Sequence, residues 1–113
     1  MQKTLIYDDY ILFEDGRCFS LKTMKFLKPF VNDSGYERIT INLDGKRKNV
    51  FIHLEIVYNF GDCNRTMPVR GSKLRENGLS VDHKDRNKHN NARWNLEIVS
   101  HQENCKRKFL KAE

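Results

Sequence analysis

Hydrophobic and polar residues alternate in short runs over the first half of the chain, and this alternation predicts β-strands. An Asp-Gly pair lies between two such runs at residues 15–16 and again at residues 44–45, and each pair is typical of a hairpin turn. We therefore predict two β-hairpins, which can join into one antiparallel sheet. The predicted strands are Tyr10–Phe13, Cys18–Leu21, Tyr36–Leu43 and Asn49–His53.

The pattern changes to a helical period at residues 53–60. Apolar side chains recur there at i, i+3 and i+4, which predicts a short amphipathic helix that ends at Gly61. Residues 61–78 are polar and are predicted to form a long basic loop, a feature that is commonly functional in a compact domain. The cations of this loop are either contacts for an anionic partner or part of a solvated surface: Arg65, Arg70, Lys73 and Arg75.

The last third of the chain predicts a strand, a loop, a second strand and a helix. The strands are Leu79–Asp82 and Leu96–Val99, and the helix begins after a Ser-x-x-Glu capping box at Ser100 and runs to about Lys111. At helical spacing, one stripe is predicted to face the core and a neighbouring face carries polar residues. The core stripe is Cys105, Phe109 and Ala112, and the polar face is Asn104, Lys108 and Lys111, with His101 one turn before Asn104.

These elements predict an α+β fold. Residues 1–60 would form antiparallel β-hairpins and a short helix that contact DNA or complete the core, residues 61–78 a basic loop, and residues 79–113 a ββα unit. A length of 113 residues fits one domain.

Charge and cysteine usage narrow the class of protein. The net charge of +6 is typical of a small protein with an anionic partner, most often nucleic acid, but charge alone fits a well-solvated basic protein equally well. Three widely spaced cysteines without a Cys-x-x-Cys pair indicate reduced thiols in a cytosolic protein. The first residues lack the apolar segment of a signal peptide, and no stretch is long enough to span a membrane. We therefore expect a cytoplasmic protein without a membrane partner.

The polar residues between 82 and 104 have the chemistry that phosphodiester hydrolysis requires. A neutral imidazole can accept a proton from water, and His83 is the candidate base. Oxygen donors suit a hard divalent cation, and Asp82 and Asn104 are the candidate ligands. Either Asn91 or Asn95 could hold the loop that presents the base. Candidate phosphate contacts are Lys84, Arg86, Lys88 and Arg93 in the loop and Lys108 on the helix.

The segment Val81-Asp82-His83, Asn90-Asn91, Trp94 to Ser100 and Glu103-Asn104 resembles the HNH endonucleases, the His-Me finger or ββα-metal class. Within that class it is most similar to the homing endonucleases of phages and introns. The resemblance covers roughly residues 79–108, and a weaker match extends upstream through Gly35-Tyr36 and the segment from Ile52 to Phe60.

The resemblance implies a residue set and a reaction. His83 would be the general base, Asp82 and Asn104 the metal ligands, and Asn95 the middle Asn that braces the loop. The implied cofactor is one divalent ion, Mg²⁺ before Mn²⁺, and the implied substrate is double-stranded DNA, cut to a 5′-phosphate and a 3′-hydroxyl. No small-molecule substrate is implied, and the expected state is a monomer, with a dimer as the alternative. A phage-encoded chain would act in the cytoplasm of a bacterial host.

This chain departs from the family pattern in two places. Asn104 stands where the family name has its final His, a substitution that also occurs within the family. Many homing members carry a C-terminal helix-turn-helix, whereas this chain stops at Glu113, so limited site specificity is the expectation.

Two other functions compete with the nuclease. One is a non-catalytic nucleic-acid-binding module, and the other is an accessory protein that docks a partner through its N-terminal sheet. Several side chains also have structural interpretations. His53 is predicted to pack the helix onto the sheet, His89 to lie on the surface, and His101 to lie there too unless it touches metal or phosphate. Trp94 and Cys105 are predicted to be buried.

Overall fold

The computed structural model describes residues 1–65 and 69–111, and for residues 107–111 it describes the backbone alone. Its elements, in chain order, are the strands β1 (Lys3–Ile6), β2 (Tyr10–Phe13), β3 (Cys18–Ser20), β4 (Lys25–Phe26), β5 (Phe30–Val31), β6 (Glu37–Leu43) and β7 (Lys46–Phe51), the helices α1 (Ile52–Phe60) and α2 (Gly71–Glu76), the strand β8 (Leu79–His83), a 3₁₀ turn (Arg93–Asn95), the strand β9 (Leu96–Ser100) and the helix α3 (His101–Lys111). The predicted α+β class is confirmed.

Both predicted hairpins are present, but they do not share a sheet. The β2–β3 hairpin lies in a four-stranded sheet of order β1-β2-β3-β4, and the β6–β7 hairpin lies in a three-stranded sheet of order β5-β6-β7. The expectation of one joint sheet is therefore wrong. Pro29 stands between β4 and β5. Because proline has no amide hydrogen to donate to a ladder, it favours a break between the two sheets at this position.

One apolar core runs through the whole chain. Side chains from β2, β6, α1 and β9 meet there with no more than 1% of their surface exposed, namely Leu12, Ile39, Ile41, Ile56 and Leu96. Full burial of an aliphatic side chain of this size contributes roughly 1.5–3 kcal/mol. The first half therefore completes the core of the ββα unit, which is too small to bury much surface alone.

Helix α1 confirms the predicted helix and its end, since Gly61 follows with a φ of 82°. The prediction of a loop over 61–78 is wrong at residues 71–76, where α2 forms. The residue before α2 is Arg70, which makes no side-chain cap, and only Leu74 of this helix is buried. A six-residue helix with one buried side chain and no cap has almost no sequence pattern to announce it.

Strands β8 and β9 are antiparallel, and His83 lies opposite Leu96. The capping box is confirmed where the Glu103 amide donates to Ser100 Oγ at 3.0 Å. The predicted core stripe of α3 is wrong at Cys105, which is exposed, while its neighbour Asn104 is 5% exposed. Phe109 and Ala112 lie outside the residues whose side chains are described.

Trp94 is also not the buried anchor that was predicted, because 49% of its surface is exposed. The 3₁₀ turn directs its neighbours Arg93 and Asn95 inward instead. Within the described residues, no helix is long and apolar enough to cross a membrane.

Candidate active site

The site centres on His83, the last residue of β8, whose side chain is 4% exposed. Its Nε2 lies 2.8 Å from Oδ1 of Asn91, eight residues further along the loop. The Asn91 amide nitrogen donates in turn to Glu37 Oε1 at 3.0 Å. A three-residue chain of hydrogen bonds therefore connects the imidazole to strand β6, and Asn91 is the loop residue that contacts His83 directly.

Two further rings lie close to the imidazole of His83. The ring centroid of His53 lies 5.4 Å from that of His83, and the ring of Tyr36 lies 5.9 Å from it. Burial among these groups lowers the pKa of His83 below its ordinary 6.5, while the hydrogen bond to Asn91 raises it in part. The imidazole is therefore neutral at neutral pH, the state that a proton acceptor needs.

His53 is buried, as a structural residue should be, but it also forms part of the wall of the site. Burial lowers its pKa to about 3, with a smaller contribution from His83, and its Nδ1 has no hydrogen-bond partner. Its ring also stacks 5.0 Å from Tyr36. We conclude that His53 is a neutral, mainly apolar neighbour of His83.

Asn95 holds the loop that follows His83. Its Oδ1 accepts the Asp85 amide hydrogen at 3.1 Å, and its Nδ2 donates to Asp85 Oδ1 and to the Asn90 carbonyl, each at 2.9 Å. Asp85 also accepts from the Asn87 amide at 2.8 Å, an Asx turn that the Asp-x-Asn spacing could have indicated. The Asn90 side-chain amide donates to Asp85 Oδ2 at 2.8 Å, and this bond, followed by those from Asn87 and Asn95, lowers the pKa of the Asp85 carboxyl.

Asn104 of α3 contacts β8, the strand that carries Asp82. The Asn104 amide nitrogen donates to Ser80 Oγ at 2.9 Å, and Ser80 and Asp82 lie two residues apart on the same strand face. The Oδ1 of Asn104 is buried and accepts no hydrogen bond from the groups that the structure describes. An unsatisfied buried carbonyl oxygen is costly, and an oxygen-preferring cation would satisfy it.

The donor set fits a hard divalent cation. Asp82 offers a carboxylate and Asn104 the unpaired amide oxygen, and both residues are at least 93% buried. No group of three or more His, Cys, Asp and Glu side chains gathers into a metal cluster within residues 1–65 and 69–111. An ion held by Asp82 and Asn104 would take water and phosphate oxygens as its further ligands.

A cleft of about 560 Å³ opens beside these residues. Its lining includes Asn104 and Ser80, the rings of His53 and Tyr36, and Arg75 of α2. The cleft therefore joins the unpaired Asn104 oxygen to the rings that contact His83.

The candidate DNA-contact residues differ in their exposure and in their contacts. Lys84 is exposed and Arg86 is half-buried. Lys88 donates to the Ser34 carbonyl at 2.8 Å, with its ammonium 4.6 Å from the centre of the Tyr36 ring, so it also ties the loop to the first half. The prediction for Arg93 is wrong, because this side chain is buried and pairs with Glu14 at 2.6 Å. Lys108 falls outside the described side chains.

Sequence reasoning missed Glu37 and Tyr36 as parts of the site. Glu37 lies 54 residues before its partner Asn91, and no local pattern connects the two. His89 is exposed, as predicted, and so is His101, although His101 also lines the cleft.

The fold and this residue set define an α+β protein whose ββα unit presents a buried, neutral imidazole. Residues 73–106 match the family model described as HNH endonuclease. The resemblance seen in the sequence is confirmed, and this segment of the chain belongs to the HNH endonuclease family.

Individual relatives extend the likeness beyond the motif. The H-N-H endonuclease F-TflI of Escherichia phage T5 is 35% identical over 91 residues, which are 80% of this chain and 42% of that protein. The DNA endonuclease I-HmuI of Bacillus phage SP01 is also 35% identical over 91 residues, 80% of this chain and 46% of that protein.

The fold is shared with a solved structure. The HNH homing endonuclease I-HmuI, solved in work on its DNA binding and cleavage, superposes with a TM-score of 0.79 at 30% identity. The superposition covers 99% of this chain and 60% of that one. The chain thus spans less than half the length of the two phage relatives named above and three-fifths of the solved chain.

Proposed function

We propose that this protein is a metal-dependent endonuclease that hydrolyses phosphodiester bonds of double-stranded DNA. The observation that carries the proposal is the unpaired, buried Oδ1 of Asn104, on the helix that packs against the strand ending in Asp82 and His83. The family assignment supports the reaction class, since HNH endonucleases are generally metal-dependent. The name of the phage relative I-HmuI, a DNA endonuclease, supports DNA as the substrate, and the phage origin of both relatives supports a bacterial cytoplasm as the compartment.

Each residue has a defined task in this proposal. His83, neutral at working pH, accepts a proton from the attacking water, and Asn91 holds its ring. Asp82 and Asn104 would hold one divalent ion, Mg²⁺ before Mn²⁺, and the bound ion would supply positive charge beside the phosphate and the leaving 3′ oxygen. Attack by water on phosphorus with departure of that oxygen leaves a 5′-phosphate and a 3′-hydroxyl.

DNA binding would rest on charge. Lys84 and Arg86 lie in the loop that begins after His83, and Arg75 of α2 lines the cleft. Contacts of these cations with phosphates give an affinity that falls steeply with salt and depends little on sequence. One active site per chain makes a monomer that nicks one strand the simplest form of the enzyme.

The test is cleavage of supercoiled plasmid by wild type, His83→Ala and the control His89→Ala, each with Mg²⁺, Mn²⁺ or EDTA. We expect metal-dependent nicking by wild type and by His89→Ala, because His89 is exposed in the loop. His83→Ala should bind DNA with unchanged affinity but cleave it at least about 10²-fold more slowly. Binding without cleavage by wild type under every metal would instead establish a non-catalytic DNA-binding module, and full activity of His83→Ala would refute the assigned base.

A further inference from the structure

We propose that Asn91 and Glu37 form a positioning pair that fixes the tautomer of His83, so that the proton stays on Nε2 and the lone pair of Nδ1 serves as the base. This inference rests on the proposed function, because it assigns how the catalytic imidazole is prepared. It makes Glu37, a residue of the N-terminal half, part of the machinery that sets the rate.

The direction of each hydrogen bond follows from chemistry. Glu37 is a carboxylate and can only accept, so the group of Asn91 that faces it at 3.0 Å must be the amide NH₂. The other end of the Asn91 side chain, its carbonyl oxygen, then faces His83 Nε2 at 2.8 Å. A carbonyl oxygen can only accept, so a neutral imidazole must donate from Nε2 and leave Nδ1 unprotonated.

Asn91 cannot easily turn away from this arrangement. Its side chain is 4% exposed. Gly16, in the turn of the β2–β3 hairpin, lies so close to Asn91 that a Cβ at this glycine would stand 3.2 Å from Asn91 Cβ and 3.3 Å from its backbone carbonyl group. Lys88, three residues earlier in the loop, is tied to the Ser34 carbonyl at 2.8 Å. The first half of the chain therefore holds Asn91 through its side chain, its backbone and its loop.

Loss of this pair should lower kcat for DNA cleavage but should not weaken DNA binding. Neither Asn91 nor Glu37 belongs to the loop cations proposed to contact phosphate, so KM for DNA should stay within about twofold. Turnover should fall because a free imidazole divides its proton between both nitrogens. In the Ser-His-Asp triad, which is a worked example of this effect in another enzyme, the wrong tautomer lowers kcat by about 10⁴.

The first experiment reads the tautomer without DNA or metal. Protein with ¹⁵N-labelled histidine is studied by NMR at pH 7.5, and the His83 signals are identified by their absence in His83→Ala. Wild type should show one tautomer with the proton on Nε2, and Asn91→Leu should show a mixture. Asn64→Leu is the control, since Asn64 is exposed and distant in sequence from the loop. A proton on Nδ1 in wild type, or an unchanged tautomer in Asn91→Leu, would overturn the proposal.

The second experiment exchanges the amide and the carboxylate group between positions 91 and 37. Asn91→Asp places two carboxylates face to face, so kcat should fall at least tenfold. Glu37→Gln in that background restores an amide donor opposite a carboxylate acceptor, and kcat should recover at least tenfold relative to Asn91→Asp. The exchange also keeps the volume of both side chains, which guards against a variant that fails to fold. No recovery in a folded double variant would exclude Glu37 from the pair.

The two proposals fail in different ways. A wild-type protein without nuclease activity would refute the proposed function but would leave the tautomer of His83 measurable. An active enzyme with mixed tautomers in wild type would refute the positioning pair alone.

Discussion

Arg93 and Glu14, 79 residues apart in the chain, form a buried ion pair in which the guanidinium Nε lies 2.6 Å from the carboxylate. The backbone repeats the contact, because the Arg93 amide donates to the Glu14 carbonyl at 2.9 Å. A further guanidinium nitrogen donates to the Asp62 carbonyl at 3.1 Å. This cluster joins the β2–β3 hairpin to the 3₁₀ turn of the ββα unit, so a residue expected to contact DNA instead stabilises the fold.

Replacement of Arg93 by Met should therefore reduce stability and not DNA affinity. Loss of one partner leaves a buried carboxylate without its cation, which costs roughly 3–5 kcal/mol. Urea unfolding at pH 7 measures the change. The double variant Glu14→Leu, Arg93→Met should regain most of this loss, since an apolar pair of similar size avoids the buried charge.

Lys84→Met is the matched control for Arg93→Met, because Lys84 is an exposed cation of the same loop. Its free energy of unfolding should stay within about 0.5 kcal/mol of wild type. DNA affinity should decrease instead, and the slope of log K against log salt should fall by about 1. An unchanged salt slope would remove Lys84 from the proposed contacts.

Substitution of Asp82 or Asn104 should change how DNA cleavage depends on the metal concentration. We expect Asn104→Ala and Asp82→Ala to raise the Mg²⁺ concentration for half-maximal cleavage at least tenfold, with partial recovery at high metal, because each removes an oxygen donor. Asn104→Asp, which keeps an oxygen at the same distance from the backbone, is the conservative control and should retain more activity than Asn104→Ala. Activity curves against Mg²⁺ that coincide for all variants would exclude this ligand pair.

Protonation of His53 should destabilise the folded protein at acidic pH. Its pKa is about 3 in the folded state because of burial, against an ordinary 6.5, so the unfolded chain binds the proton more readily. The stability that the neutral ring contributes is complete above pH 6.5 and is lost as the pH falls toward 3. The slope reaches about 1.4 kcal/mol per pH unit for one such group.

Urea unfolding of His53→Phe between pH 4 and 7 tests this expectation. The phenyl ring keeps the aromatic contacts but cannot take a proton, so its free energy of unfolding should vary less steeply with pH than that of wild type. Some slope should remain, because burial also lowers the pKa of His83 and the bond from Arg93 lowers that of Glu14. His89→Phe, in the exposed loop, should keep the wild-type slope.

Substitution of two glycines can distinguish the cost of backbone strain from the cost of disturbed packing against the site. Gly16 and Gly45 both have positive φ, 99° and 78°, but only Gly16 lies against another part of the chain. Gly45→Ala should cost on the order of 1–2 kcal/mol from the dihedral angle alone. Gly16→Ala should cost more and should also lower kcat, because the new methyl group displaces Asn91. Equal losses of stability and unchanged turnover in both variants would contradict this contact.

The sequence predicted best where a residue type and its spacing point to one local structure. The Asp-Gly turns, the helix before Gly61 and the capping box at Ser100 all depend on neighbours in the chain, and the structure has each of them. The order of strand, loop, strand and helix followed from the same local rules. The pairing of Asp82 with Asn104 as metal ligands remains a prediction.

Predictions that depend on distant partners were wrong or absent. Arg93 is a cation in a basic loop, and only the approach of Glu14 from the first hairpin makes it a buried residue. Cys105 is the apolar neighbour of Asn104, but α3 turns the polar amide inward to Ser80. Hydrophobicity alone cannot predict this orientation, because it arises from a hydrogen bond across two elements.

The close approach of Gly16 to Asn91 also sets where the chain can tolerate changes of length. One residue added or removed between Lys84 and Ala92 would shift Asn91 out of reach of His83, Glu37 and the hairpin at once. A Cβ at Gly45 would meet no atom within 4 Å, so the β6–β7 turn has open space for extra residues. We therefore expect insertions and engineered tags to be tolerated at Asp44-Gly45. Between His83 and Asn95, neither an added nor a removed residue should be tolerated.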